Sequence, residues 1–162
     1  MINIAVVEDD IDYIQTLGTY VKRFAEEKGL SIKVDSYSSS EEFLFSYEPK
    51  YDIILMDIEM PRMDGMTCAM NIRKTDSDVI IIFVTNMAQY AINGYKVRAR
   101  AYILKPINYY SFTLELNDAI NNLSKRNTGH ILIQTTDGLK KINTDDILYV
   151  EVQRHQVFFH TI

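Results

Sequence analysis

Several apolar runs in this chain end on residues able to do chemistry. INIAVV (2–7) is followed by Glu8, Asp9 and Asp10, IILM (53–56) by Asp57, VIIIFV (79–84) by Thr85, and AYIL (101–104) by Lys105 and Pro106. Carboxylates brought together repel one another unless a cation lies between them, and a hard, oxygen-seeking divalent ion such as Mg2+ is the usual occupant. Such an ion also recruits phosphate. An aspartate held beside it can attack a phosphoryl donor to form an acyl phosphate, with the metal and Lys105 neutralising the equatorial oxygens and Thr85 donating a hydrogen bond. A dinucleotide site fits poorly, because none of the six glycines lies in the loop after the first run and three acids there would repel a pyrophosphate.

Residues so far apart in sequence meet only if their runs are strands of one sheet, since an open parallel sheet gathers ligands outside the carboxyl ends of its strands. The pattern supplies such a sheet. Residues 2–7 read as a buried parallel strand, and Ile11, Ile14, Leu17, Val21 and Phe24 then follow at helical spacing until Gly29. Ser31–Tyr37 is a second strand, followed by a capping box, Ser39-x-x-Glu42, and a helix that Pro49 closes. Strands at 52–57, 79–84 and 101–104 alternate with helices at 66–73, 87–95 and 109–123. The alternation predicts a parallel sheet covered by helices on both faces. Beyond the polar SKRNTGH (124–130) the pattern holds strands alone: ILIQT, LKKIN across a turn at Asp137-Gly138, ILYVEV and QVFFHTI. The last run continues to the chain end without a turn or cap, so this segment reads as the opening part of an all-β domain.

Composition excludes several function classes. With 47% hydrophobic residues in 162, the chain can bury a substantial core. The longest apolar run is far short of the ~20 residues of a membrane span, and acids follow MINIAVV too soon for a signal peptide, which points to the cytoplasm. The single cysteine, Cys68, excludes an internal disulfide framework and a thiolate cluster. A net charge of -5 offers nucleic acid no general attraction.

The strings EDD (8–10), MDIEMPRMDG (56–65), VTN (84–86) and AYILKP (101–106) together resemble the receiver domain of two-component response regulators, across nearly all of residues 1–125. The resemblance implies a doubly wound, flavodoxin-like five-stranded sheet in the order 2-1-3-4-5. It makes Asp57 the phosphoacceptor, Glu8 and Asp9 the acids that hold Mg2+, Thr85 the switch hydroxyl, Tyr102 the switch aromatic and Lys105 the phosphate-pairing lysine ahead of a cis Pro106. Glu59 stands where the family uses a backbone carbonyl, not a side chain, to complete the metal shell. Glu8 departs from the more common Asp but keeps the charge, and Asn86 is larger than the usual residue after the switch hydroxyl, which narrows the path of water to an acyl phosphate. By the same resemblance the partner is a sensor histidine kinase, and phosphorylation promotes a homodimer through the helix at 87–95, the strand at 101–104 and the helix at 109–123. Such a protein is a phosphoacceptor that assists its own phosphorylation and dephosphorylation, not a turnover enzyme.

The stretch DDILYVEVQRHQVFFHT (145–161) resembles the start of the LytTR DNA-binding domain, and places Arg154 and His155 at a position that contacts DNA in that family. The resulting organisation is a receiver at 1–125, a linker at 126–130 and the N-terminal portion of a LytTR-type domain at 131–162, too short to bind DNA with a whole domain's affinity. Taken singly, Asp9 and Asp10 also read as acids at a helix N-terminus, Thr85 as a strand residue, Lys105 as a loop charge and Tyr102 as a core aromatic. Their joint placement at one end of successive strands is what argues for a site. Two rival readings remain: a Mg2+-dependent aspartyl-phosphate phosphohydrolase with Glu59 as general acid, which lacks the expected second Asp and Thr, and a receiver-like interaction module that binds no Mg2+.

Overall fold

The strands β1 (Ile2–Val7), β3 (Ile53–Met56) and β4 (Ile80–Thr85) are apolar at nearly every position, which a strand tolerates only where both faces of its sheet are covered. They form the centre of a five-stranded parallel sheet whose order is β2-β1-β3-β4-β5. The flanking strands, β2 (Ile32–Tyr37) and β5 (Ala101–Leu104), are less buried. This is the expected order. The computed structural model describes residues 1–87, 97–126, 130–135, 138–143, 147–153 and 156–161. Beyond Met87, the helix expected over 87–95 lies outside the described residues, as do Asp137 of the expected turn and both Arg154 and His155.

Side chains alternate across the sheet, so it separates two apolar layers. One layer holds Ala5, Val7, Ile54, Met56, Ile81 and Phe83 against Phe43 of α2 (Ser40–Phe45) and Met66, Cys68, Ala69 and Ile72 of α3 (Gly65–Thr75). Alternation sends Ile4, Val6, Ile53, Leu55 and Ile82 to the other face, where α1 (Ile11–Lys28) supplies Leu17, Val21 and Phe24 and α4 (Tyr109–Arg126) supplies Phe112 and Leu116. Cys68 is buried, and burial pushes its thiol up to about 11, which suits packing and not reactivity.

Helix ends follow local chemistry. Asp10 caps α1 by accepting the amides of Asp12 and Tyr13, Ser39 caps α2 through Glu42, Asp64 caps α3 through Thr67, and Asn108 accepts the amide of Ser111 in the first turn of α4. The second helix stops at Phe45, ahead of the proline expected to close it, and at its C-cap both the amide and the hydroxyl of Ser46 bond the Glu42 carbonyl. Gly29 ends α1 in the left-handed region, at φ 64°, with its amide on Glu26.

The chain divides into two compact units, Met1–Ala119 and Ile120–Ile162. In the second, β6 (His130–Thr135) pairs antiparallel with β7 (Gly138–Asn143), and β8 (Ile147–Gln153) with β9 (Gln156–Thr161). On β8 and β9, Leu148, Tyr149, Val150, Val152, Val157 and Phe158 are exposed, as expected for apolar strands in sheets of only two.

Two glycines of the first unit separate backbone demand from spare space. Gly29→Ala is expected to cost about 1 kcal/mol through its positive φ. Gly18, within α1 and with nothing inside 4 Å of an added Cβ, is expected to gain about 0.5–1 kcal/mol on the same change. Urea unfolding of the two variants checks the opposite signs.

Candidate functional site

Strand register assembles the site before any side chain is considered. Val7 of β1 lies beside Met56 of β3, so the next residues, Glu8 and Asp57, leave the sheet as neighbours. Likewise Thr85 of β4 pairs with Leu104 of β5, which delivers Lys105, its amide bonded to the Thr85 carbonyl at 3.0 Å.

The Lys105 ammonium lies 2.7 Å from Asp57 Oδ2 and 2.8 Å from Glu8 Oε2, and only 3% of its side chain is exposed. Each acid has a further backbone donor: the Glu59 amide reaches Asp57 Oδ1 at 3.1 Å and the Asp10 amide reaches Glu8 Oε1 at 3.3 Å. Two buried carboxylates and one buried cation leave an uncompensated negative charge in a site with little water to screen it. The molecule shows the strain in Glu8. Its pKa is pushed up to about 7, first by burial, with the Lys105 hydrogen bond opposing and the charge of Asp57 adding. Burial works against the Lys105 ammonium too, but its hydrogen bonds to Asp57 and Glu8 outweigh this and hold its pKa above that of ordinary lysine.

Asp9 is exposed at the rim, and Glu8, Asp9 and Asp57 each offer an oxygen within 4.8 Å of the others. This donor set, all carboxylate and short of positive charge, fits a hard divalent cation. Asp10 caps α1 instead of joining it, so for that residue the helix-terminus alternative holds. The Glu59 side chain is exposed, and its contact with Asp57 is through the backbone. Thr85 is fully buried, its Oγ1 accepting the Met87 amide at 3.3 Å, whereas Asn86 is exposed. Tyr102 packs on Phe83 at 5.1 Å between ring centroids, and its hydroxyl is buried without a hydrogen-bond partner among the described residues, which pushes its pKa up to about 12. The Lys105–Pro106 peptide is cis, as the resemblance implies.

Two contributors escape a reading of the sequence. Gly65 opens α3 against the backbone of the phosphoacceptor candidate, where an added Cβ would stand 1.9 Å from the Asp57 carbonyl oxygen. Its signal was available: a glycine directly after an N-cap aspartate marks close approach, since other residues suit that position. Tyr13 places its ring centroid 4.1 Å from the Lys105 ammonium, and nothing in its spacing distinguishes it from a helix-surface tyrosine.

Residues 4–117 match the response regulator receiver domain. The chain belongs to that family. The receiver and the segment after it are 28% identical to the transcriptional regulatory protein NatR of Bacillus subtilis, over 93% of this chain and 64% of that protein. The corresponding values for the positive alginate biosynthesis regulatory protein of Pseudomonas aeruginosa are 24%, 91% and 64%. The sensory transduction protein LytT of Oceanobacillus iheyensis is 34% identical over 49% of this chain and 32% of its own length. The chain thus spans less than two thirds of each of these curated relatives. Among solved structures, the receiver resembles a response regulator receiver domain protein from Clostridium thermocellum, with TM-score 0.67 and 22% identity over 78% of this chain and 99% of the other. It also resembles the non-phosphorylated HemR receiver domain of Leptospira biflexa, with TM-score 0.62 and 27% identity over 74% and 94%. Among the described residues of the receiver, no helix is long and apolar enough to cross a membrane.

Two measurements probe this geometry. Gly65→Ala is expected to cost more than about 2 kcal/mol, because the atom it meets is backbone and cannot swing aside; thermal unfolding reads the loss. The Glu8 pKa lies above its unfolded value of 4.5, so the native state holds that proton more tightly, and its contribution, full below the unfolded pKa, is lost as pH rises to about 7. Without divalent cation, Glu8→Gln is therefore expected to gain on the parent protein by about 1–3 kcal/mol between pH ~5 and pH ~8, compared by denaturant unfolding at both.

Proposed function

We propose that this receiver is a phosphorylation switch in which Asp57 accepts a phosphoryl group from a phosphohistidine of a sensor kinase. The observation that carries the reading is the buried Lys105 ammonium, held between Asp57 and Glu8 beside a third acid, Asp9. An Asp57 oxygen attacks phosphorus; the P–N bond breaks as the new P–O bond forms, and the departing imidazole nitrogen keeps the electron pair. Lys105 then has a phosphoryl oxygen to pair with, and the Thr85 hydroxyl, at the end of the adjacent strand, a second one to donate to. Glu8, Asp9 and Asp57, with the Glu59 carbonyl, would hold Mg2+, which supplies positive charge to the transferring group. One phosphoryl group is accepted per chain, so the protein is a substrate that assists the transfer and its later hydrolysis, and no turnover enzyme.

The switch proposed is a movement of Thr85 toward the phosphoryl group, coupled to reorientation of Tyr102 against Phe83. Its output would be a homodimer through the face that includes β5 and α4. Residues 131–162, after a linker at 126–130, we read as the first part of a LytTR-type DNA-binding domain, with Arg154 and His155 at its DNA contact. Similarity to a transcriptional regulatory protein and to an alginate biosynthesis regulatory protein, each over more than nine tenths of the chain, supports that reading, since it runs well past the receiver. The complete protein would then bind paired DNA sites in the cytoplasm. The phosphohydrolase alternative is not favoured, because the Glu59 side chain is exposed and only its amide meets Asp57.

Incubation with acetyl phosphate and Mg2+ should add one phosphoryl group, seen by intact mass, and chelation or Asp57→Asn should abolish it. An unmodified parent protein, or equal labelling of Asp57→Asn, would sink the proposal.

A further inference from the structure

We infer that Tyr13 is a positioning residue for Lys105, and that its ring sets how fast Asp57 is phosphorylated. The inference rests on the phosphoacceptor reading of Asp57 and extends it to a residue outside the set of charged groups. An ammonium has three N–H donors. In this site Asp57 and Glu8 pair with the Lys105 ammonium, and the face of the Tyr13 ring lies 4.1 Å away, within the range of a cation–π contact. With 3% of the lysine side chain exposed, the ring takes a place that water would otherwise fill. The contact is strongest in such surroundings, because a desolvated cation feels the ring quadrupole without screening.

The backbone that carries the ring is tied to the helix cap. Tyr13 is half-buried in the first turn of α1, and its amide donates to Oδ1 of the cap residue Asp10 at 3.4 Å, alongside the shorter bond from Asp12. Asp10 comes directly after Glu8 and Asp9, so one short loop delivers both the acids and the ring to the same lysine. When Asp57 carries a phosphoryl group, Lys105 must turn its donors from carboxylate to phosphoryl oxygen. A ring in contact with the ammonium leaves it fewer other directions to take.

The test compares initial rates of acyl phosphate formation from acetyl phosphate with Mg2+, read by intact mass, alongside thermal unfolding of each variant. Tyr13→Leu should be slowed about tenfold while remaining folded. Tyr13→Phe, which keeps the ring, should run within about twofold of the parent protein. Placed in a Lys105→Met background, Tyr13→Leu should cause no further slowing, as expected of a residue that acts only through the lysine. Full activity of Tyr13→Leu, equal loss in Tyr13→Phe, or an undiminished effect without Lys105 would each overturn the inference while leaving Asp57 as the acceptor. Absence of phosphorylation in the parent protein would instead remove the reading on which it stands.

Discussion

A single buried ammonium organises the receiver. Lys105 comes off the last strand of the sheet and ends between carboxylates from the first and third strands, so its ion pairs join residues 48 and 97 positions away along the chain. A cation with almost no exposure has to be compensated at once, and the two acids have to be compensated in turn. The strand register meets both demands by placing Glu8 and Asp57 side by side and carrying Lys105 on from β5. The excess negative charge left over helps burial raise the Glu8 pKa, and it makes a carboxylate set that suits a divalent cation.

Much of this was legible in sequence because apolar strands alternating with helices point to a covered parallel sheet, and such a sheet makes its carboxyl ends converge. The converging residues follow from that constraint; the strand order was implied by the resemblance of their motifs to receiver domains, and of the helix ends the Ser39 box and the Gly29 stop were readable as such. What was not legible depends on shape. The end of α2 at Phe45, with Ser46 bonded back to the last-turn carbonyls, is a detail that propensity does not report. Asp10 and Asp9 are neighbours of the same type in different places: one turns to the amides of α1, the other stays exposed at the rim beside Glu8 and Asp57. The contact of Tyr13 with Lys105 crosses from one helix to a distant loop and leaves no periodic trace.

The second unit obeys a different logic. Its hairpins pair locally and leave large apolar side chains of β8 and β9 in solvent, in contrast to the two filled layers of the first unit. A receiver finishes its own core; two-stranded sheets of this composition do not.

The buried hydroxyl of Tyr102 has a consequence for the equilibrium between conformations. An unpartnered polar group held away from water costs about 1–3 kcal/mol, which offsets part of what the ring gains against Phe83. The packed orientation on Phe83 is therefore held less firmly than a satisfied hydroxyl would allow, and a hydrated orientation of the ring lies that much nearer in free energy. On the phosphorylation switch proposed above, this lowers what the modification has to supply to turn the ring, and a fully satisfied tyrosine would raise it.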